Sequence, residues 1–117
     1  MARAATTTDV FNAVAEPRRR EILDAVAAQA RSVNDLARLT GLAQPQVSKH
    51  LRVLREVGAV DVREAGRQRL YRLNAVALRP VHDWVSAYQA QWEERFEQLD
   101  DLLDDLRQEG RDDDDGR

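Results

Sequence analysis

A chain of 117 residues, 43% hydrophobic and 33% charged, holds enough apolar material for one buried core and is small for an enzyme built around a deep pocket. It contains no cysteine, which removes disulfides, thiolate metal ligands and cysteine nucleophiles together. The net charge of −3 is unevenly spread: residues 1 to 95 hold 15 of the 18 basic residues and 11 of the 21 acidic ones, a net of +4, while residues 96 to 117 hold 3 and 10, a net of −7. Because 17 of the 18 basic residues are Arg in an Ala-rich chain, their abundance carries no argument, and only their positions do. No apolar run approaches the roughly 20 residues of a membrane span, and "MARAATTTDV" lacks the apolar stretch of a secretory signal. The expectation is a cytoplasmic protein with no membrane partner.

Residues 1–7 read as a flexible N-terminus, and one domain is expected over 8–107. Thr8 to Ala15 reads as a short helix with Val10, Phe11 and Val14 on its inner side. In "EPRRREILDAVAAQ", Pro17 suits the first turn of a second helix, where it has no N–H to lose, and Ile22, Leu23 and Val26 form its inner stripe. Ser32 is the natural N-cap of a third helix, with Asp35 three residues on and Gly41 closing it. Only Gly41, Leu42 and Ala43 separate it from a fourth helix over Gln44 to Glu56. Helices joined by so short a Gly-containing turn cross steeply, the mark of a helix-turn-helix.

After Gly58 the periodicity changes. "AVDVREAGRQRLYRLN" alternates Val60 and Val62 with Asp61 and Arg63, turns at "EAGRQ" with Arg67 at its tip, and alternates back through Leu70 and Leu73, which predicts a two-stranded hairpin. A long amphipathic helix follows, continuous from about Leu78 to Leu106, with Val81, Val85, Tyr88, Trp92, Phe96, Leu99, Leu103 and Leu106 at spacings of four and three. At 1.5 Å per residue it is longer than the small domain can cover, so its surplus is expected to meet another chain. Residues 108–117, "QEGRDDDDGR", contain no apolar side chain and are expected to form a disordered acidic tail.

The fourth helix carries the functional signal. Val47, Leu51 and Leu54 fall on one face, while Gln44, Ser48, Arg52 and Arg55 run down the opposite one, which bears amides, a hydroxyl and cations with no acid before Glu56. Across residues 43 to 73, seven cations face three acids, so the positive field is local. "VFNAVAEPRRREIL", "SVNDLARLTGLAQPQVSKHLRVLREVGAV" and the arginine hairpin ending "YRLN" resemble the winged helix-turn-helix repressors of the ArsR type over residues 8 to 106. The resemblance implies a mainly α fold with four helices, a two-stranded wing and a long C-terminal dimerisation helix. It further implies a homodimer that occupies a pseudo-palindromic operator in double-stranded DNA and represses transcription.

On that basis Gln44, Gln46 and Ser48 are expected to meet base edges, and Lys49, Arg52, Arg63, Arg67 and Arg69 to meet phosphates, some of them instead pairing with Glu56, Asp61 or Glu64. Phe11, Val14, Val81, Trp84, Val85, Tyr88, Trp92 and Phe96 are expected at the dimer seam. His50 lies at the edge of the buried face, where a hydrogen bond that orients the helix is favoured over DNA contact. Relatives of this type commonly carry Ser or Thr where this chain has Ala43, so the fourth helix lacks its usual cap. In the run Arg18, Arg19 and Arg20, Arg19 is expected to tie helices together.

Sensing motifs are missing. The metal-responsive members use a cysteine pair on the third helix, or Asp and His ligands on the last, where this chain has Pro80 and Glu93. His82 beside Asp83 reads as a surface residue, so no metal and no cofactor is expected. A winged helix that binds a protein instead of DNA is the alternative, and the cations on the recognition face and wing tip count against it. No nucleophile and base pair, no apolar carboxylate pair and no Gly-rich phosphate loop suggests an enzyme.

Overall fold

The computed structural model describes residues 9–115. They fall into two compact units divided between Val81 and His82. In the first, four helices precede a hairpin: α1 (Val10–Ala15), α2 (Pro17–Ala28), α3 (Val33–Thr40), α4 (Gln44–Glu56), β1 (Val60–Ala65) and β2 (Gln68–Leu73), then a 3-10 turn over Ala75–Leu78. α5 (Arg79–Ser86) crosses the division, and α6 (Gln89–Asp115) lies in the second unit. Among the described residues this is a mostly helical winged helix-turn-helix.

Local chemistry explains the boundaries. The Asp9 carboxylate accepts the Asn12 N–H at 2.8 Å and starts α1 two residues later than Thr8. Glu16 accepts the Arg18 N–H at 2.9 Å with Pro17 in the first turn of α2, and the Ser32 hydroxyl accepts the Asp35 N–H at 3.2 Å at the start of α3. Gly41 ends α3 at φ 76, a left-handed backbone that a side chain would strain, and its N–H bonds to the Ala37 carbonyl. Arg19 Nε donates to the Ala13 carbonyl at 2.6 Å and Arg20 donates to that of Val14 at 2.7 Å, so two of the three consecutive arginines satisfy the last carbonyls of α1. Arg18 pairs with Glu21.

The hairpin pairs antiparallel with Val60 opposite Leu73 and Ala65 opposite Gln68. Its two-residue turn has Gly66 at φ 65 and Arg67 outside the positive-φ region, the pattern of a type II′ turn with glycine first. The wing is tied to the helices at its base: Arg31 and Tyr71 exchange backbone bonds of 2.9 and 2.8 Å in an antiparallel bridge. Below it lies one core, in which Ala13, Ile22, Leu23, Val26, Leu36, Val47, Leu51, Leu54, Ala59, Val60 and Tyr71 are buried.

Three sequence expectations need correction. Phe11 is 41% exposed, and Val10 and Ala13 are the residues that α1 buries. The last helix is not continuous from Leu78: a 3-10 turn precedes Arg79, and the chain tightens again at Ala87 and Tyr88, whose N–H groups bond three residues back to Trp84 and Val85. A period of hydrophobic side chains does not register such a break, because i→i−3 bonding keeps neighbouring turns close to the same face. Finally, α6 extends through 108–115, part of the stretch expected to be disordered. Adding residues to an existing helix needs no new nucleus, which composition alone does not weigh. The flexible N-terminus expected over 1–7 lies outside the described residues.

Candidate nucleic-acid interface

α4 is held by its inner face. Val47 and Leu54 are fully buried and Leu51 is 1% exposed, so the helix cannot rotate without emptying the core. That fixes the outer face, where Gln44, Ser48, Arg52 and Arg55 are all exposed at the spacing the sequence indicates. Two clefts flank it. On one side Ser48, Leu51, Arg52, Arg55, Arg69 and Tyr71 line a cleft between α4 and β2, with buried Leu51 and Tyr71 as its floor and three guanidinium groups around its mouth. On the other side Glu16, Arg19, Gln46, Lys49, His50 and Val53 line a second cleft between the start of α2 and α4.

The electrostatics are one-sided. Lys49, Arg52, Arg55, Arg63, Arg67 and Arg69 are exposed, and among the described residues none of them is in an ion pair. The pairing expected with Glu56, Asp61 and Glu64 does not form, even though Glu64 and Arg69 stand opposite each other in register. No carboxylate among the described residues neutralises these cations by direct pairing. Ser48, Arg52 and Arg69 come together at one cleft, Gln46 and Lys49 at the other, and Arg63 and Arg67 lie out along the wing.

Comparison with known proteins matches this geometry. A model of the arsR family of bacterial regulatory proteins matches residues 16–62, from the start of α2 to β1. The transcriptional repressor SdpR of Bacillus subtilis (strain 168) is 29% identical over 77 residues, which cover 66% of this chain and 86% of that protein. A crystal structure of a possible transcriptional regulator for arsenical resistance shares 34% identity at a TM-score of 0.62, covering 68% of this chain and 83% of that one. The homodimeric winged helix-turn-helix DNA-binding domain of Mb0332 from Mycobacterium bovis, a possible ArsR-family regulator, shares 27% identity at a TM-score of 0.58, covering 75% and 92%. The chain belongs to the ArsR family of bacterial regulatory proteins.

Three features of this ArsR-family chain were not legible in the sequence. Arg55 completes the cluster around the wing cleft, and only its place on the polar face of α4 hinted at it. The Ala43 N-cap has no side-chain acceptor, yet Gln46 turns back so that its Oε1 accepts the Ala43 N–H at 3.2 Å, the reciprocal half of a capping box. Gln44 is held as well, through a side-chain hydrogen bond to Asn34 on α3. Both glutamines thus have partners within the chain, whereas among the described residues the Ser48 hydroxyl at the wing cleft makes no such hydrogen bond.

His50 sits half-buried, with Nδ1 3.5 Å from an Arg19 guanidinium nitrogen. Burial lowers its pKa below 6.5, the Arg19 and Lys49 charges lower it further, and Glu16 alone opposes them. This contact runs between Arg19 on α2 and His50 on α4. In the second unit the aromatic stripe is exposed: Trp84, Tyr88, Trp92 and Phe96 together with Leu99, Leu102, Leu103 and Leu106. Trp84 and Tyr88 meet edge to face with centroids 6.0 Å apart. Val81 and Val85 are half-buried, as is Val14 on α1. Among the described residues no group of three or more His, Cys, Asp or Glu side chains is placed to hold a metal ion, and no helix is long and apolar enough to cross a membrane.

Proposed function

We propose that this chain binds double-stranded DNA in a sequence-specific manner as a homodimer and represses transcription by occupying a pseudo-palindromic operator. The observation that carries this reading is the set of unpaired cations on α4 and the wing, gathered around a polar helix face whose rotation the core fixes. In this reading α4 enters the major groove, with Gln44, Gln46 and Ser48 toward base edges. Lys49, Arg52, Arg55, Arg63, Arg67 and Arg69 hold phosphates on either side, which positions the protein without reading sequence. The half-polar, half-cationic design suits that division of labour better than it suits a protein partner.

Dimerisation supplies the two-fold symmetry. A run of exposed aromatic and leucine side chains on α5 and α6 is more apolar surface than a lone helix keeps in water, and a second copy of the same stripe is its natural cover. Phe11, Val14, Val81, Trp84, Val85, Tyr88, Trp92 and Phe96 are the residues assigned to that seam.

The test is footprinting on the DNA upstream of the protein's own coding region. Symmetric protection is expected, with half-sites about 10 to 10.5 base pairs apart or a multiple of that, because both recognition helices must approach one side of the duplex. A folded protein that protects no sequence over competitor DNA would refute the reading.

A further inference from the structure

α6 carries a heptad, and the residues that flank it point to an orientation. Trp92, Phe96, Leu99, Leu103 and Leu106 recur at spacings of four, three, four and three, and each is between 41% and 64% exposed. A mean spacing of 3.5, just below the 3.6 of a straight helix, keeps a seam turned toward one partner helix along a left-handed supercoil. In heptad terms Phe96, Leu103 and Gly110 take position a, and Trp92, Leu99 and Leu106 take position d. Beside the seam lie Glu93, Asp100 and Arg107 at e, and Arg95, Leu102 and Glu109 at g, all of them exposed. Glu93 accepts a bond from Gln89, and Arg107 lies 3.4 Å from Asp104. These are surface contacts within one helix, which a partner helix can replace at little cost.

Resting on the reading of this stripe as the dimer seam, we infer that two copies of α6 pair antiparallel, in the register that sets Leu99 against the partner's Leu103. Antiparallel packing faces a against d and brings e beside e and g beside g, and it is these flanking positions that choose orientation and register. Here the partner's Arg107 lies beside Glu93 and the partner's Glu109 beside Arg95, and two-fold symmetry repeats both pairs. Leu102 meets its own copy next to the axis, which accounts for an apolar side chain that stands outside the seam at 55% exposure. Trp92 falls opposite the partner's Gly110, where nothing lies within 4 Å of the place a Cβ would take, so the bulky indole meets a position without a side chain. Against these stands Asp100, which meets its own copy. The alternatives are worse matched. Sliding the pair by one heptad, so that Phe96 meets the partner's Leu99, sets Glu93 beside the partner's Asp100 and Leu102 beside the partner's Arg95. Sliding it the other way carries Trp92 past the end of the partner's α6. A parallel pair gains a contact from Arg95 to the partner's Asp100. It leaves Leu102 beside the partner's Arg107, however, sets Gly110 on its own copy as a gap in the seam and brings the two acidic ends together.

The experiment uses the full-length protein, which has no cysteine, so a single substitution takes a spin label at a unique position. Gln91→Cys and Gln98→Cys stand one heptad apart at exposed positions away from the seam. In the antiparallel register the two labels of a dimer are offset along the axis by about 30 Å at position 91 and about 9 Å at position 98, at 1.5 Å per residue. Pulsed electron spin resonance should therefore give a distance at 91 that exceeds the one at 98 by more than about 10 Å. In a parallel pair the axial offset vanishes at both positions, and equal distances overturn the inference. Distances that fit offsets of about 20 Å and about 2 Å, those of the register with Phe96 against the partner's Leu99, overturn it as well. A second arm reverses charge. Arg107→Glu should weaken dimerisation by about 2- to 30-fold in sedimentation, and adding Glu93→Arg should restore it. The two positions are about 21 Å apart on one helix, so rescue can run only between chains. A dimer that Arg107→Glu weakens and Glu93→Arg does not rescue overturns the register. A protein that is monomeric throughout is a different result, because it removes the seam itself and this inference with it.

Discussion

Replacing Trp92 and Phe96 together with Ala should abolish dimerisation while leaving the first unit folded. Trp92 is 47% exposed and Phe96 64% exposed in the protomer. With large aromatics burying roughly 150 to 250 Å² when fully covered, the two present about 250 Å² per protomer and about 500 Å² per pair. At about 25 cal/mol per Å², the loss is about 12 kcal/mol if a partner covers all of that surface and about 6 kcal/mol if it covers half. Even the lower figure weakens dimerisation by more than about 10⁴-fold. Neither residue belongs to the buried core, so the melting transition of the helices and wing should survive in the double variant. Sedimentation velocity from nanomolar to tens of micromolar protein separates the outcomes. The wild type should sediment as a dimer and the variant as a monomer, with DNA affinity falling in parallel. A variant that dimerises with the wild-type dissociation constant would refute the assignment of this stripe to the seam.

Arg19→Ala should cost about 1 to 3 kcal/mol, because it strands the Ala13 and Asn12 carbonyls at the end of α1. For a unit of this size that lowers Tm by roughly 4 to 8 °C per kcal/mol, as differential scanning calorimetry would read. Stability should also decline with acid through His50. Its folded pKa lies below 6.5, so the unfolded chain binds the proton more readily, and the contribution is whole above pH 6.5 and lost as pH falls through the folded value. Glu16, Arg19 and Lys49 are the charged groups that face it, and His50→Gln should remove this part of the pH dependence from a comparison of urea midpoints between pH 8 and pH 5. Zinc, cadmium, cobalt and arsenite should not release the protein from DNA, since the chain has no cysteine and His82 is the single histidine after His50. Stoichiometric zinc binding by calorimetry, coupled to DNA release, would contradict this.

Where a residue's role is local, the sequence displayed it. Pro17 in a first turn, Ser32 three residues before Asp35 and Gly41 after Thr40 act through backbone groups within a few positions, and each stands where its chemistry requires. The alternation across Val60 to Leu73, with glycine at the turn, likewise yields the wing and its register. The polar face of α4 was legible for the same reason, because a period of 3.6 fixes which side chains share a side. Longer contacts were not. Arg20 bonds carbonyls five and six residues back across a helix boundary, and Arg31 bridges to Tyr71. Nothing in a periodic pattern records either, since they depend on how elements come together. The turn at Ala87 and Tyr88 escaped because neither residue is a breaker such as Gly or Pro. The capping by Gln46 escaped for the opposite reason: a glutamine on a recognition face is read as an outward group, and a rotamer that folds it back leaves no trace in composition.

The central claim is that α4 reads bases while the cations around it hold phosphates. The measurement that tests it most directly is the affinity of Gln46→Ala, Ser48→Ala, Lys49→Ala and Arg67→Ala for a protected site and its single-base variants at several salt concentrations. The first two should each lose about 1 to 3 kcal/mol at the cognate site and flatten the preference at one position per half-site, with the salt slope unchanged. The last two should weaken every sequence alike and lower the salt slope by about one per contact, hence by about two in a symmetric dimer. A uniform loss in all four, with every base preference intact, would contradict the account and move specificity to DNA shape or to another part of the protein.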